Sequence, residues 1–326
     1  STESSYAMGS DNGCDLLPMI ACQRGKGDVN FGQKPFAYAP PKGFKPWCTA
    51  NIPQTDLVRP DQYCKPLAVI GNGDTQKIEF GFQPDLLFVK PRTATTGGSW
   101  NITDSVRGGS VYLMTNSQNG NGSFTSPYGI SEWAEYGVTV KDQTNGDWNL
   151  NGNPGGTYAG STGGYAYYGW KAGGNKNTFN IDDIGYSTAA AAGLDGGSIT
   201  PTGASVGTKQ GFSIIKYVGN ATGGASFSHG LSKAPKIVFH KNLDSTKDWY
   251  TITTAIDGSG DYFYLNQTTS INNSSVTVPT SSLVYMTASH ESNTSGDNYI
   301  AYMWHDVEGL QKIGSYTGNG AENFVY

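Results

Sequence analysis

The stretch GFQPDLLFVK at positions 81–90 returns later in the chain as GLSKAPKIVFHK at positions 230–241. In both stretches a glycine and a proline precede a short apolar run that ends in lysine. Such runs favour β-strands, because their large side chains pack well on a pleated surface. The pair therefore indicates an internal repeat built on strands.

Further landmarks recur at matching places around these two stretches. GNG at 71–73 returns as GNA at 219–221, Trp100 returns as Trp249, and YAYYGW at 165–170 returns as YIAYMW at 299–304. The first copy is longer, and we expect its extra residues in a surface loop at 145–164. A third GNG at 318–320 predicts the start of another copy.

Short alternating or apolar runs bounded by Gly, Asn, Asp, Ser and Pro fill most of the chain, which is typical of strands joined by tight turns. We predict an all-β fold of tandem antiparallel β-sandwich repeats joined by a Gly/Ser/Thr/Ala-rich linker. The predicted divisions are an N-terminal region at 1–64, repeat 1 at 65–173, the linker at 174–210, repeat 2 at 211–310 and the start of a third repeat at 311–326.

Composition excludes several classes of protein. The chain has 21 Lys and Arg residues against 26 Asp and Glu residues, a formal net charge of −5. A protein that binds duplex nucleic acid through many phosphate contacts needs a basic surface, so we expect no nucleic-acid partner. No run approaches the roughly 18 apolar residues of a membrane span, so we expect no membrane insertion.

The four cysteines lie in the first fifth of the chain and match no C-x-x-C metal pair. Pairs Cys14–Cys22 and Cys48–Cys64 could form disulfides, and free thiols are an open alternative. We expect neither a metal nor another cofactor.

Candidate catalytic groups are few. The histidines, at 229, 240, 290 and 305, all lie in repeat 2, which disfavours a catalytic site duplicated with the fold. Two carboxylate pairs could hydrolyse a glycan: Glu132 with Glu135, and Asp244 with Asp248. Both pairs fall in polar loops, so we predict that no residue is catalytic.

Aromatic side chains among Asn, Asp and Gly suggest a binding site in which rings stack on a sugar and amides bind hydroxyls. The candidate ligand-binding residues are Trp133, Tyr136, Trp148, Asn149 and Asn151. By contrast, tryptophans that recur in both copies are predicted to be core residues; these are Trp100, Trp170, Trp249 and Trp304.

VNFGQKPF at 29–36, followed by PPKGFKPWCTANIP at 40–53, resembles the closing end of a SPRY-type sandwich in large virion proteins of marine tailed phages. The repeats resemble the β domain of unassigned function that follows it there, through positions 81–90, DSVRG at 104–108, WK at 170–171 and HGLSKAP at 229–235.

This resemblance implies a lectin-like sandwich for each repeat and a place on the virion surface. The implied function is a non-enzymatic structural component, a tail fibre or capsid-surface appendage that can also bind the host surface. A carbohydrate-binding adhesin and a glycan-degrading tail enzyme are the alternatives. Expected partners are further copies of the chain, other virion proteins and a host-surface glycan. We also expect residues 29–38 and 312–326 to pair with a neighbouring domain or a second copy.

Overall fold

A computed structural model describes residues 57, 59–92, 98–124, 128–141, 150–152, 163–273, 276–287 and 290–320. All of them belong to the unit Thr55–Tyr326. The SPRY-like stretch at 29–53, with Cys14, Cys22 and Cys48, lies outside the described residues. In the part of the chain that is described, no helix has the length and hydropathy to cross a membrane.

Repeat 1 is a β-sandwich that follows a short 3-10 helix, Pro60–Gln62. Its strands are β1 (Cys64–Ile70), β2 (Gln76–Glu79), β3 (Leu86–Pro91), β4 (Asn101–Asp104), β5 (Gly108–Met114), β6 (Gly122–Ser123), β7 (Gly129–Ala134), β8 (Gly137–Lys141) and β9 (Gly164–Trp170). The larger sheet has the order β1-β9-β3-β4-β5-β6 and the smaller has the order β2-β8-β7. Neighbouring strands are antiparallel throughout.

Repeat 2 is built from β13 (Phe212–Val218), β14 (Ser226–Ser228), β15 (Ile237–Asn242), β16 (Tyr250–Thr253), β17 (Asp261–Tyr264), β18 (Leu283–Tyr285), the helix α1 (His290–Asn293) and β19 (Asn298–Trp304). Its large sheet contains β13-β19-β15-β16-β17 in that order, and β14 pairs with β18. The all-β prediction is confirmed.

The two copies agree strand for strand. In the large sheets, β1, β9, β3, β4 and β5 of repeat 1 correspond in order to β13, β19, β15, β16 and β17 of repeat 2. The register agrees as well, since Trp170 is opposite Leu86 and Trp304 is opposite Ile237. The repeat read from the sequence is therefore a repeat of the fold.

Residues 174–210, predicted as a linker, are instead part of the sheet of repeat 2. They contain β10 (Phe179–Ile181), β11 (Ile184–Tyr186) and β12 (Gly203–Gly207). Strand β12 pairs with β13, and β10 runs parallel to β12. Leu194 and Val206 are fully buried in the core of repeat 2. Small residues allow this close packing: a Cβ on Gly197 would lie 2.5 Å from the Ser226 carbonyl oxygen.

Strands of the two large sheets place alternate side chains into different cores, as the two-residue period of a strand requires. Leu87 and Val89 face the smaller sheet of repeat 1, whereas Leu86 and Phe88 join a third core that both repeats share. From repeat 2, the shared core receives alternate residues of β13 and β19, including Ile214 and Tyr302. The large sheets therefore pack face to face.

The tryptophans that close each copy meet in this shared core. Trp304 is buried, Trp170 is half-buried, and their ring centroids are 6.4 Å apart in an edge-to-face arrangement. Equivalent residues of the two repeats thus contact each other.

The predicted start of a third repeat contains no strand over residues 312–320. Ile313 packs on the shared core, and its backbone N–H donates to Asp306 Oδ1 over 2.8 Å. Residues 314–320 are exposed, and positions 321–326 lie outside the described residues.

Candidate functional site

Asn151, predicted to bind a ligand, is buried in a polar clasp at the end of β1. Its Nδ2 donates to Asn72 Oδ1 over 2.7 Å and to the Asp74 carbonyl over 2.8 Å. Its Oδ1 accepts the backbone N–H of Asn72 over 3.2 Å. The amide of Asn151 therefore holds the GNG turn in place.

The same clasp recurs in repeat 2. Asn293 Nδ2 donates to Asn220 Oδ1 over 3.2 Å and to the Thr222 carbonyl over 2.9 Å. Its Oδ1 accepts the backbone N–H of Asn220 over 2.8 Å. Because both copies keep these bonds, the structure gives Asn151 a role in the fold.

The other predicted ligand-binding residues do not come together with Asn151. Trp133 is half-buried against the core of repeat 1, and its buried indole N–H has no partner among the described residues. Tyr136 lies in the turn between β7 and β8 and is 62% exposed. Trp148 and Asn149 lie outside the described residues.

Tyr136 borders a polar pocket of about 300 Å³, where repeat 1 meets the excursion at 174–210. Glu135, Lys171 and Lys209 also line it, and Lys171 forms an ion pair with Asp183 at 2.7 Å. Asp183 belongs to the two-residue turn between β10 and β11, where φ is positive as the favoured hairpin turn requires. Charges of both signs thus surround one exposed tyrosine ring.

A second cavity, the inter-repeat groove, has a volume of about 520 Å³. Its aromatic lining comes from Phe88 and Trp100 of repeat 1 and Phe239 of repeat 2. Asn116, Asn266 and Gln267 add amides. This groove was not predicted from the sequence, because Trp100 recurs as Trp249 and both were expected to be core residues. Trp249 is fully buried, whereas Trp100 is half-buried.

Two histidines of repeat 2 are buried inside the fold. Burial lowers the pKa of His229 to about 4 and that of His240 to about 3. His229 Nδ1 accepts the backbone N–H of Leu231 over 3.0 Å. His240 Nδ1 lies 3.0 Å from the hydroxyl oxygen of Tyr217, which donates to the Ser292 carbonyl over 2.7 Å. Both side chains are neutral members of packed networks.

The candidate carboxylates are engaged by neighbouring groups. Asp248 Oδ1 accepts hydrogen bonds from Gln118 at 2.8 Å and Asn266 at 2.6 Å, and Oδ2 accepts one from Gln267. Asp244 Oδ2 accepts the backbone N–H of Asn298 over 2.7 Å. These contacts connect loops to the sheets. That no residue is catalytic stays a prediction.

Among the described residues, no cluster of three or more His, Cys, Asp or Glu side chains could hold a metal ion. Cys64 is a free, half-buried thiol, and burial raises its pKa to about 11.

One family model, described as a domain of unknown function (DUF7483), matches residues 59–326. No curated protein and no solved structure matches the chain significantly.

Proposed function

The chain belongs to the DUF7483 family, a domain family of unknown function, and we propose that it is a non-enzymatic structural component of a phage virion. In this proposal it forms part of a tail fibre or another appendage on the particle surface, where it can also contact the host. Its partners there are further copies of the chain and other virion proteins.

The observation that carries the proposal is the core shared by the two repeats. Trp304, Tyr302 and Leu86 are buried between the two large sheets, on faces that would be open to solvent in an isolated sandwich. Burial of such apolar surface contributes roughly 25 cal/mol per Å². Two sandwiches held in this way form one compact unit, which suits a structural part of a particle.

Polar contacts across the same interface support a structural role. Asp104 of repeat 1 is held by an ion pair with Arg107 of the same repeat, both side chains being almost completely buried, and it accepts a hydrogen bond from the hydroxyl of Tyr302 of repeat 2 over 2.7 Å. Trp249 of repeat 2 donates its indole N–H to the Met114 carbonyl of repeat 1 over 2.8 Å. Lys241 Nζ donates to the Gln118 carbonyl over 2.7 Å. These bonds fix the orientation of the repeats in addition to their separation.

Mass spectrometry of density-gradient-purified virions tests the proposal, with immunogold labelling to locate the chain on the particle. We expect peptides of the chain at a stoichiometry comparable to other structural proteins, and label on a surface appendage. Peptides found in the infected-cell lysate but absent from purified virions would refute it.

A second candidate function, carbohydrate binding, is favoured by the aromatic and amide lining of the inter-repeat groove. A glycan-degrading enzyme is the third possibility, and reducing-sugar release from host-surface polysaccharide tests it. Release that is lost either in an Asp244→Asn variant or in a Glu135→Gln variant, one from each candidate carboxylate pair, would contradict the non-enzymatic proposal.

A further inference from the structure

We propose that the inter-repeat groove binds an uncharged sugar ring of a glycan. The inference deepens the proposed role at a host surface and rests on that role for its biological context. Its physical basis lies in the groove itself, which combines aromatic rings with amide side chains.

The chemistry of the lining selects the class of ligand. Among the described residues, no charged side chain lines the groove. A sugar offers an apolar ring face to the aromatic side chains and hydroxyls to the amides that make up this lining. The volume of about 520 Å³ lies within the roughly 300–1,000 Å³ typical of small-molecule sites.

Trp100 has diverged from its counterpart in a way that leaves it available to a ligand. Trp249 is fully buried and donates its indole N–H to the backbone carbonyl of Met114. Trp100 is half-buried, and its indole N–H has no hydrogen-bond partner among the described residues. A ring with a spare donor can stack on a sugar and bond one of its hydroxyls.

The ring of Trp100 is nevertheless held in place. Tyr168 packs against it edge to face, with centroids 5.5 Å apart, and Lys90 Nζ lies 5.7 Å from its centroid. A ring that is already oriented loses little conformational freedom when a ligand binds.

The amides show the same divergence between the repeats. Asn266 is committed to the fold: its Oδ1 accepts the Trp249 backbone N–H over 2.8 Å and its Nδ2 donates to Asp248. Asn116 occupies the matching position in repeat 1, because Thr115 N bonds the Trp100 carbonyl as Leu265 N bonds that of Trp249.

Asn116 is exposed, and its side chain makes no hydrogen bond within the described part of the chain. It can therefore offer a donor and an acceptor together to a sugar, which is the combination that vicinal hydroxyls need.

A glycan array probed with the labelled full chain tests this inference, followed by titration with the free monosaccharide of any binding glycan. Trp100→Ala and Asn116→Ala are expected to weaken binding, the former by about tenfold or more because stacking and a hydrogen bond are lost together. Tyr316→Ala is the matched control, since Tyr316 is an exposed aromatic residue that does not line the groove. Tyr136→Ala reports on the other pocket.

The melting temperature of each variant is measured alongside binding. If Trp100→Ala unfolds, Asn116→Ala still tests the groove, because Asn116 is exposed. The inference is overturned by the absence of any glycan signal, by binding that responds only to Tyr136→Ala, or by displacement with an apolar peptide but not with free sugar. A chain found in virions without glycan binding overturns this inference alone. Glycan binding by a chain absent from virions overturns the virion role alone.

Discussion

The phenol of Tyr302, on the central strand β19 of repeat 2, donates a hydrogen bond of 2.7 Å to Asp104 Oδ2 of repeat 1. The same carboxylate oxygen pairs with Arg107, and all three side chains are buried in the interface. Burial is the main reason that the pKa of Tyr302 is raised well above its ordinary value, so the phenol remains a donor. This polar contact fixes how the two sandwiches dock within an otherwise apolar core.

We expect Tyr302→Phe to lower the free energy of unfolding by about 1–3 kcal/mol, because a buried carboxylate loses a donor while the packing is kept. Urea denaturation followed by tryptophan fluorescence measures it. Tyr168→Phe, at a partly exposed position on β9, is the control and should change the free energy by less than about 0.5 kcal/mol. Equal effects of the two variants would contradict a special role for the buried bond.

Trp304→Ala is expected to cost about 3–5 kcal/mol, the usual range for deleting a buried aromatic side chain. Trp170→Ala should cost less, because Trp170 is only half-buried. Thermal and urea unfolding of the full chain check both values. If Trp170→Ala lowered the free energy of unfolding more than Trp304→Ala, burial would not explain the contributions of these equivalent positions.

The buried amides of Asn151 and Asn293 hold equivalent turns, so their removal should have matched effects on stability. Asn151→Ala and Asn293→Ala should each lower the free energy of unfolding by roughly 1–3 kcal/mol, because each leaves buried or partly buried groups of a turn without partners. Amide hydrogen exchange should accelerate at residues 72–74 in the first variant and at 220–222 in the second. Loss of ligand binding in Asn151→Ala without faster exchange would instead indicate a direct ligand contact.

Stability should fall as the pH drops from about 6.5 towards 4. Burial lowers the pKa of His229 to about 4 and that of His240 to about 3, so at these two sites the unfolded chain binds more protons than the folded chain across this range. Stability from the neutral imidazoles is complete above the unfolded pKa of about 6.5 and is lost as pH falls towards the folded values. Urea midpoints at several pH values should show a shallower fall in His240→Gln than in the parent chain.

Local patterns in the sequence were sufficient to predict the repeat and its all-β character. Glycine turns and apolar runs depend on neighbours along the chain, and they were enough to match β3 with its counterpart β15. The strands within residues 174–210 were not predicted, because the Gly, Ala, Ser and Thr residues of this segment give little hydrophobic signal, although Leu194 is fully buried. Its strands are joined to the sheet of repeat 2 through β12, which pairs with β13 and with β10, so they depend on tertiary contacts.

The sequence of β3 carries a signal for the face-to-face packing of the large sheets. The run Leu86-Leu87-Phe88-Val89 is apolar at every position, which is typical of a strand covered on both faces. Trp100 was predicted to be a core residue because a tryptophan, Trp249, recurs at the matching position of repeat 2. Duplication preserved the position of this residue in the fold but did not preserve its burial. For Asn151, a polar residue in a Gly/Asn-rich loop, only the structure showed that its amide is enclosed by the turn it holds.

The shared core joins equivalent faces, with Phe88 and Trp170 from one repeat and Phe239 and Trp304 from the other. A contact between equivalent faces occupies that face on both repeats, as in a twofold dimer, and leaves no further copy of it open for extension. A third repeat added to this pair could not attach through the same contact. Longer arrays of this domain would therefore consist of pairs of repeats, with a different surface joining one pair to the next.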